Sequence, residues 1–320
     1  MASDITPNIS STPISETAPV SSGPQKIFFG PKGLRAGWRI LIFILLVVGM
    51  GFALNLVLPR IPPVRHFLQS PEVKDPTTAV GSIVSEGVAA LLVILAAAIM
   101  TLIDKRSFAD YGLPLRQAFG KRFWQGVPLG FAMLSLLLAA IGALHGFSVA
   151  GLALSGTTAA KYGLLWAIAF LFVGVFEDFT FRGYLQSALG DGIGFWPAAI
   201  VLAVVFGAIH WHNQGEALFG CVMAGLFGMV EAFALWRTGS LWLLIGMHAS
   251  WDWGETYFYG TPDSGMLAHG HLLNSSFHGA KWLTGGTVGP EGSWLVFAVL
   301  AVWALAIHFL FPAKRANVAA

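Results

Sequence analysis

From residue 36 onward the chain alternates long apolar runs with polar connections, the runs lying at roughly 36–58, 79–103, 124–145, 163–189, 196–212, 217–236, 240–258 and 293–312. Most approach the roughly 20 residues that a helix rising about 1.5 Å per residue needs to cross the hydrocarbon of a bilayer. Unpaired backbone is not tolerated in lipid, so the pattern predicts an all-α polytopic membrane helix bundle of about eight transmembrane helices. The run at 196–212 is the shortest and is expected to tilt or to be shielded by its neighbours. Gly220, Ala224, Gly225 and Gly228 place small residues on the sixth span, where another helix can approach closely.

Residues 1–30, rich in Ser, Thr and Pro, are expected to form a disordered tail ahead of one integral membrane domain over 31–315. They do not read as a signal peptide, because Asp4 and Glu16 occupy the place of a basic segment and Pro7, Pro13 and Pro19 interrupt any apolar one. Composition agrees: 56% of the 320 residues are hydrophobic and only 11% charged, against roughly a quarter charged in soluble domains. A net charge of +2 supplies no broad cationic face for nucleic acid. Cys221 is the single cysteine, so no internal disulfide can form.

The basic residues orient the predicted bundle. Lys26, Lys32, Arg35, Arg39, Lys105, Arg106, Arg116, Lys121, Arg122, Arg237, Lys314 and Arg315 fall on one side, whereas only Arg60, Arg65, Lys74, Lys161 and Lys281 fall on the other. This bias predicts eight spans with both termini cytoplasmic.

Ionisable residues inside the spans are then conspicuous, since each costs roughly 3 kcal/mol at mid-membrane. The fourth span carries Glu177, Asp178 and Arg182 within six residues. At about 100° per residue, Arg182 lies near the face of Asp178 and far from that of Glu177. Asp178 and Arg182 are therefore expected to pair, and Glu177 to need a neighbouring helix, water or a substrate. In the fifth span Phe206 and His210 share a face, with His212 pointing away; in the seventh, His248 and Asp252 stand one turn apart. His210 alone could be a core residue bonded to a carbonyl, and Asp178 with Arg182 could be a structural ion cluster; the His248–Asp252 pair is less easily read that way. Counting along the helices puts Glu177, His248 and His210 at roughly 10, 12 and 20 Å above the inner boundary, depths at which they can converge. Glu255, further along the seventh span, reads as structural.

A carboxylate, two imidazoles and a further acid around a wet cavity are the parts needed to activate water against an amide. Glu177 would be the general base. His210 and His248 could hold a divalent metal such as zinc with Glu177 or Asp252, or could stabilise the oxyanion directly; the sequence leaves both open.

These residues resemble a known family, the CPBP intramembrane proteases, which include the type II CAAX prenyl endopeptidases. Its pattern of Glu-Glu-x-x-x-Arg, Phe-x-x-x-His and His-x-x-x-Asn or Asp on successive helices is similar to Glu177-Asp178-x-x-x-Arg182, Phe206-x-x-x-His210 and His248-x-x-x-Asp252. The resemblance covers about 165–255, the catalytic half, and departs at Asp178, where the family usually has a second Glu. It implies an intramembrane endopeptidase in which Glu177 activates the water, His210 and His248 complete the site, Asp252 takes the Asn/Asp position and Arg182 supports it. It further implies a membrane-associated or lipidated peptide or protein as substrate and membrane lipid as surroundings; the basic, Pro-containing tail and the absence of a second soluble domain are expected of a bacterial inner-membrane enzyme.

Two other classes share such features. A proton-coupled transporter would also bury acids and histidines, but here they cluster in the fourth, fifth and seventh spans, and no repeat relates the two halves. A non-catalytic scaffold or immunity protein would keep the motifs as packing pairs. His269, His271 and His278 in the Gly-rich loop at about 259–292 are close enough in sequence to bind a metal, but a solvated or interfacial loop is the expected account. Six tryptophans, Trp242, Trp251, Trp253, Trp282, Trp294 and Trp303, are assigned mostly to interfaces and packing.

Overall fold

A computed structural model describes residues 25–30, 33–212 and 218–312. The expected tail therefore lies almost wholly outside the described residues, as do Lys32, Lys314 and Arg315 and the side chains of Lys26 and His212.

Each of the eight predicted runs is helical: Ala36–Val57, Ala79–Asp104, Lys121–Ala143, Gly156–Ile193, Phe195–Ile209, Leu218–Thr238, Leu241–Tyr259 and Val296–Leu310. In chain order these are the first to the eighth helix. Five segments, Ala36–Arg60, Ala79–Asp104, Lys121–Ala143, Gly156–Ile193 and Leu218–Thr238, are long and apolar enough to cross a membrane by themselves. The fifth and eighth are shorter apolar helices, about 22 Å each.

The seventh helix is the axis of the bundle. Every residue from Leu241 to Asp252 is buried, between the third helix on one side and the fourth on another. Glycines make the contact with the third helix possible: a Cβ on Gly126 would lie 2.2 Å from the Leu243 carbonyl oxygen, and one on Gly130 would lie 2.0 Å from that of Met247. The second helix packs on the fourth, the fifth on the sixth, and the eighth on the sixth. Large apolar side chains such as Leu45, Val48 and Phe52 point outward from the first helix, as suits a surface solvated by lipid tails.

Two of these helices are not α throughout. The fourth opens into a wide π turn over Phe179–Leu185, and the seventh does so over Gly254–Tyr259. Both turns begin within two residues of a site acid, Asp178 or Asp252, and π segments are frequent at functional sites. The 3.6-residue period does not foretell them.

A buried ion cluster fastens one end of the bundle. Arg39 of the first helix meets Asp104 of the second at 2.8 Å and Asp191 of the fourth at 2.6 Å. Arg106 reaches Asp191 at 2.7 Å, and the hydroxyls of Tyr111 and Tyr184 donate to Asp104. Two of the basic residues used to orient the chain are thus structural clasps as well. At the other end, Phe147–Leu152 pairs antiparallel with Leu273–Phe277, so the loop after the seventh helix is partly strand. His269 N–H donates to the Thr77 carbonyl, and Trp166 Nε1–H to the His269 carbonyl, which ties this loop to the second and fourth helices. Trp251 and Trp303 are buried and stacked at 5.3 Å, whereas Trp282 and Trp294 are exposed.

Candidate active site

A cavity of about 260 Å³ lies among the second, fourth, fifth, sixth, seventh and eighth helices. Its wall includes Glu86, Glu177, His210, His248, Asp252, Asp263 and Glu291. Pro76 and Ser82, at the start of the second helix, also line it, as do Met266 and Ala268 of the outer loop. The cavity therefore reaches toward the end of the bundle remote from the Arg39 cluster, because the 26 residues of the second helix separate Ala79 from Asp104 by about 39 Å.

His248 stands at the centre and presents its two nitrogens to two different sets of acids. On the cavity side, Nε2 lies 3.7 Å from Glu177 Oε2 and 3.6 Å from Asp252 Oδ2. On the buried side, Nδ1 lies 3.5 Å from Asp178 Oδ1 and 3.7 Å from Glu231 Oε1. Glu177, the partnerless acid of the fourth helix, is thus met by the seventh; its side chain keeps 21% exposure, whereas that of Asp178 has none.

Arg182 neutralises the buried set. It lies 3.7 Å from Asp178, the pair one helical turn apart, and much closer, at 2.9 Å, to Glu231 of the sixth helix. Its guanidinium also stacks over the Phe206 ring, 4.1 Å from the centroid, a favourable use of an aromatic face in a desolvated place. Gly228 leaves room for it, since a Cβ there would come within 2.6 Å of Arg182 Nη2. Phe206 packs edge-on to His210 as well, at 4.6 Å, so that one ring supports both the arginine and a histidine.

His210 combines two expectations. Its Nδ1 bonds the Phe206 carbonyl oxygen at 2.7 Å, as a core histidine would, yet the residue lines the cavity. As the donor in that bond, Nδ1 leaves Nε2 as the free nitrogen.

The residues do not favour the zinc arrangement as proposed from sequence. Among the described residues, two groups of side chains come close enough to share one ion: Asp178, Glu231 and His248, and Glu255, Asp263 and Glu291. His210 and Glu177 belong to neither. In the first group Arg182 already supplies the cation. The loop histidines stay apart from the cavity: His269 and His271 bond within the loop and to its anchors, and His278 Nε2 meets Ser148 and Ser276.

Sequence reasoning missed four acids. Glu231 and Glu86 sit within the sixth and second runs, and the rule that singled out Glu177 applies to them equally. Asp263 and Glu291 carry no such signal, because only the folded outer loop brings them to the cavity wall. In that loop, burial and the neighbouring Glu291 push the Asp263 carboxyl up to about 8.

An apolar helix bundle that holds paired carboxylates and imidazoles around an internal cavity is built like a membrane-embedded hydrolase. Residues 158–254 match the family model described as Type II CAAX prenyl endopeptidase Rce1-like, so this segment is similar to that family. The matched stretch runs from the fourth helix to the seventh and contains Glu177, Asp178, Arg182, Phe206, His210, Glu231, His248 and Asp252. Five helices long and apolar enough to cross a membrane accompany this similarity, as suits a multi-pass integral membrane protein. No curated protein matches the chain.

Proposed function

We propose that the chain is a glutamate-dependent intramembrane endopeptidase acting on a membrane-associated or lipidated peptide. The observation that carries this reading is the placement of Glu177: a carboxylate on the cavity wall, 3.7 Å from an imidazole nitrogen that Asp252 also faces at 3.6 Å, with His210 on the same wall. Glu177 takes a proton from a cavity water while the oxygen attacks the scissile carbonyl, and returns that proton to the departing amine. The developing oxyanion is met by the N–H of His248 Nε2, while His210, with its proton on Nδ1, offers Nε2 as an acceptor to the attacking water. Asp252 orients His248 from the cavity side; Asp178, Glu231 and Arg182 fix it from behind.

The departure from the family pattern at Asp178 fits this division, since a shorter acid still lies 3.5 Å from His248 and 3.7 Å from Arg182. We further place both termini on the cytoplasmic face of a bacterial inner membrane, on the distribution of basic residues.

Glu177→Gln keeps the shape and removes the base. Cleavage of a membrane-peptide library in liposomes is expected to fall by at least 100-fold, while thermal stability and elution in detergent stay those of the parent. Undiminished hydrolysis by a well-folded E177Q protein overturns the assignment.

A further inference from the structure

At the end of the seventh helix, beyond the catalytic side chains, three acids converge with no base among them. Glu255, Asp263 and Glu291 each offer a carboxylate oxygen within 4.8 Å of the others. Among the described residues, none of the three forms an ion pair with lysine or arginine. Glu255 is completely buried, and neither of its carboxylate oxygens has a hydrogen-bond partner. Such a group is expensive to bury unless a cation or donor completes it.

The surroundings are shaped around that carboxylate. Gly289 adopts φ +109°, and a Cβ there would lie 2.1 Å from the Pro262 carbonyl oxygen and 3.2 Å from Glu255 Oε1, so the turn presses directly onto the buried acid. Gly265 N–H donates to the Val288 carbonyl, joining the two loop segments that carry Asp263 and Glu291. Thr256 Oγ1 donates to Asp263 Oδ2, Ser264 Oγ to Glu291 Oε2 and Trp251 Nε1–H to Glu291 Oε1. These bonds aim Asp263 and Glu291 while leaving both oxygens of Glu255 open.

We propose that Glu255, Asp263 and Glu291 bind a hard divalent cation, calcium, at the mouth of the cavity. The donors are all oxygens, with no histidine or cysteine among them, which suits calcium, magnesium or manganese rather than zinc or copper. Calcium is favoured because two of the three ligands ride on a loop that can admit an irregular shell, whereas magnesium demands a near-ideal octahedron. The cation would join loop segments 262–266 and 285–292 to the seventh helix one turn beyond Asp252. This site is separate from the buried group around Arg182 and does not depend on the protease reading.

Trp251 makes the site observable, since its indole touches Glu291 and can sensitise terbium, a calcium surrogate. The experiment is terbium luminescence of the intact protein in detergent, excited through tryptophan. A saturable signal that calcium displaces is expected, weakened at least tenfold in Glu255→Gln, Asp263→Asn and Glu291→Gln, and unchanged in Glu177→Gln. Should E255Q fail to fold, the two loop variants decide. A wild-type signal no stronger than theirs, or a signal that calcium does not displace, overturns the site. Equal displacement by magnesium overturns the choice of calcium. Loss of terbium binding in E177Q would overturn the independence of this site from the catalytic carboxylate.

Discussion

Removing the charge of Glu231 tests the buried half of the site where its electrostatics are strongest. Glu231 and Arg182 face each other at 2.9 Å with both side chains buried, and Asp178 meets the same guanidinium at 3.7 Å. With an effective dielectric constant near 20, the gross attraction is about 6 kcal/mol at the shorter distance and about 4 at the longer. The Asp178 contact survives Glu231→Gln, and glutamine still offers an oxygen to Arg182, so the loss should sit near the lower end of the range for breaking a buried pair, about 3 kcal/mol. Arg182→Gln should cost more, because it strands two carboxylates beside His248, whereas Glu231→Gln leaves the guanidinium paired with Asp178. Reversible unfolding in mixed micelles, followed by circular dichroism, measures both variants and the double variant. The cycle is expected to show coupling of about 2 kcal/mol, since once one partner is neutral the other contributes little. Additivity within about 0.5 kcal/mol, or a fully stable E231Q protein, refutes the reasoning. Activity adds a contrast: E177Q loses turnover with stability intact, whereas E231Q loses both.

Gly228→Ala places a methyl group 2.6 Å from Arg182 Nη2 and should push the guanidinium off the Phe206 ring. A stability loss of about 1–3 kcal/mol is expected, and turnover should fall by more than that loss of folded protein explains, read as kcat at a temperature where the variant is folded. Arg39→Ala leaves Asp104 and Asp191 without their shared cation at the far end of the bundle. It should cost about 3–5 kcal/mol in the same unfolding assay, while the folded remainder keeps its terbium binding and its specific activity.

Much of the architecture could be read from hydropathy alone, because in lipid an apolar run of sufficient length has only one way to satisfy its backbone. All eight runs are helices, and their ends move by a few residues. The π turns after Asp178 and Asp252 escaped that reading, since a local widening leaves the hydrophobic pattern unchanged. Helical spacing placed Asp178 beside Arg182 and His248 beside Asp252, because i and i+4 positions are neighbours whatever surrounds them. It could not supply the stronger partner of Arg182. That partner is Glu231, on another helix far along the chain, and such a contact is set by packing alone. The small residues of the sixth span were visible, but not the reason for Gly228, which makes room for a side chain rather than for another backbone.

The adjacent acids Glu177 and Asp178 show how one short motif comes to serve two compartments. Successive helical positions point about 100° apart, so a pair of neighbouring carboxylates cannot enter the same environment. Here one faces the cavity and the other is sealed against Arg182. The imidazole of His248 spans the boundary, with one nitrogen toward each acid. A fixed cation behind the ring allows acids on both of its sides without leaving the buried one uncompensated, which is why Arg182, though absent from the cavity wall, belongs to the site. Exchanging the order of the two acids, by combining Glu177→Asp with Asp178→Glu, would therefore not be neutral: the shorter acid would withdraw from the cavity water and the longer one would crowd Arg182. The doubly exchanged variant is expected to fold with reduced stability and to lose most of its turnover, whereas Asp178→Glu alone, which restores the usual family pair, should retain it. Full turnover in the exchanged variant would show that the reach of the first acid into the cavity does not matter, and would remove the basis for giving the two carboxylates different work.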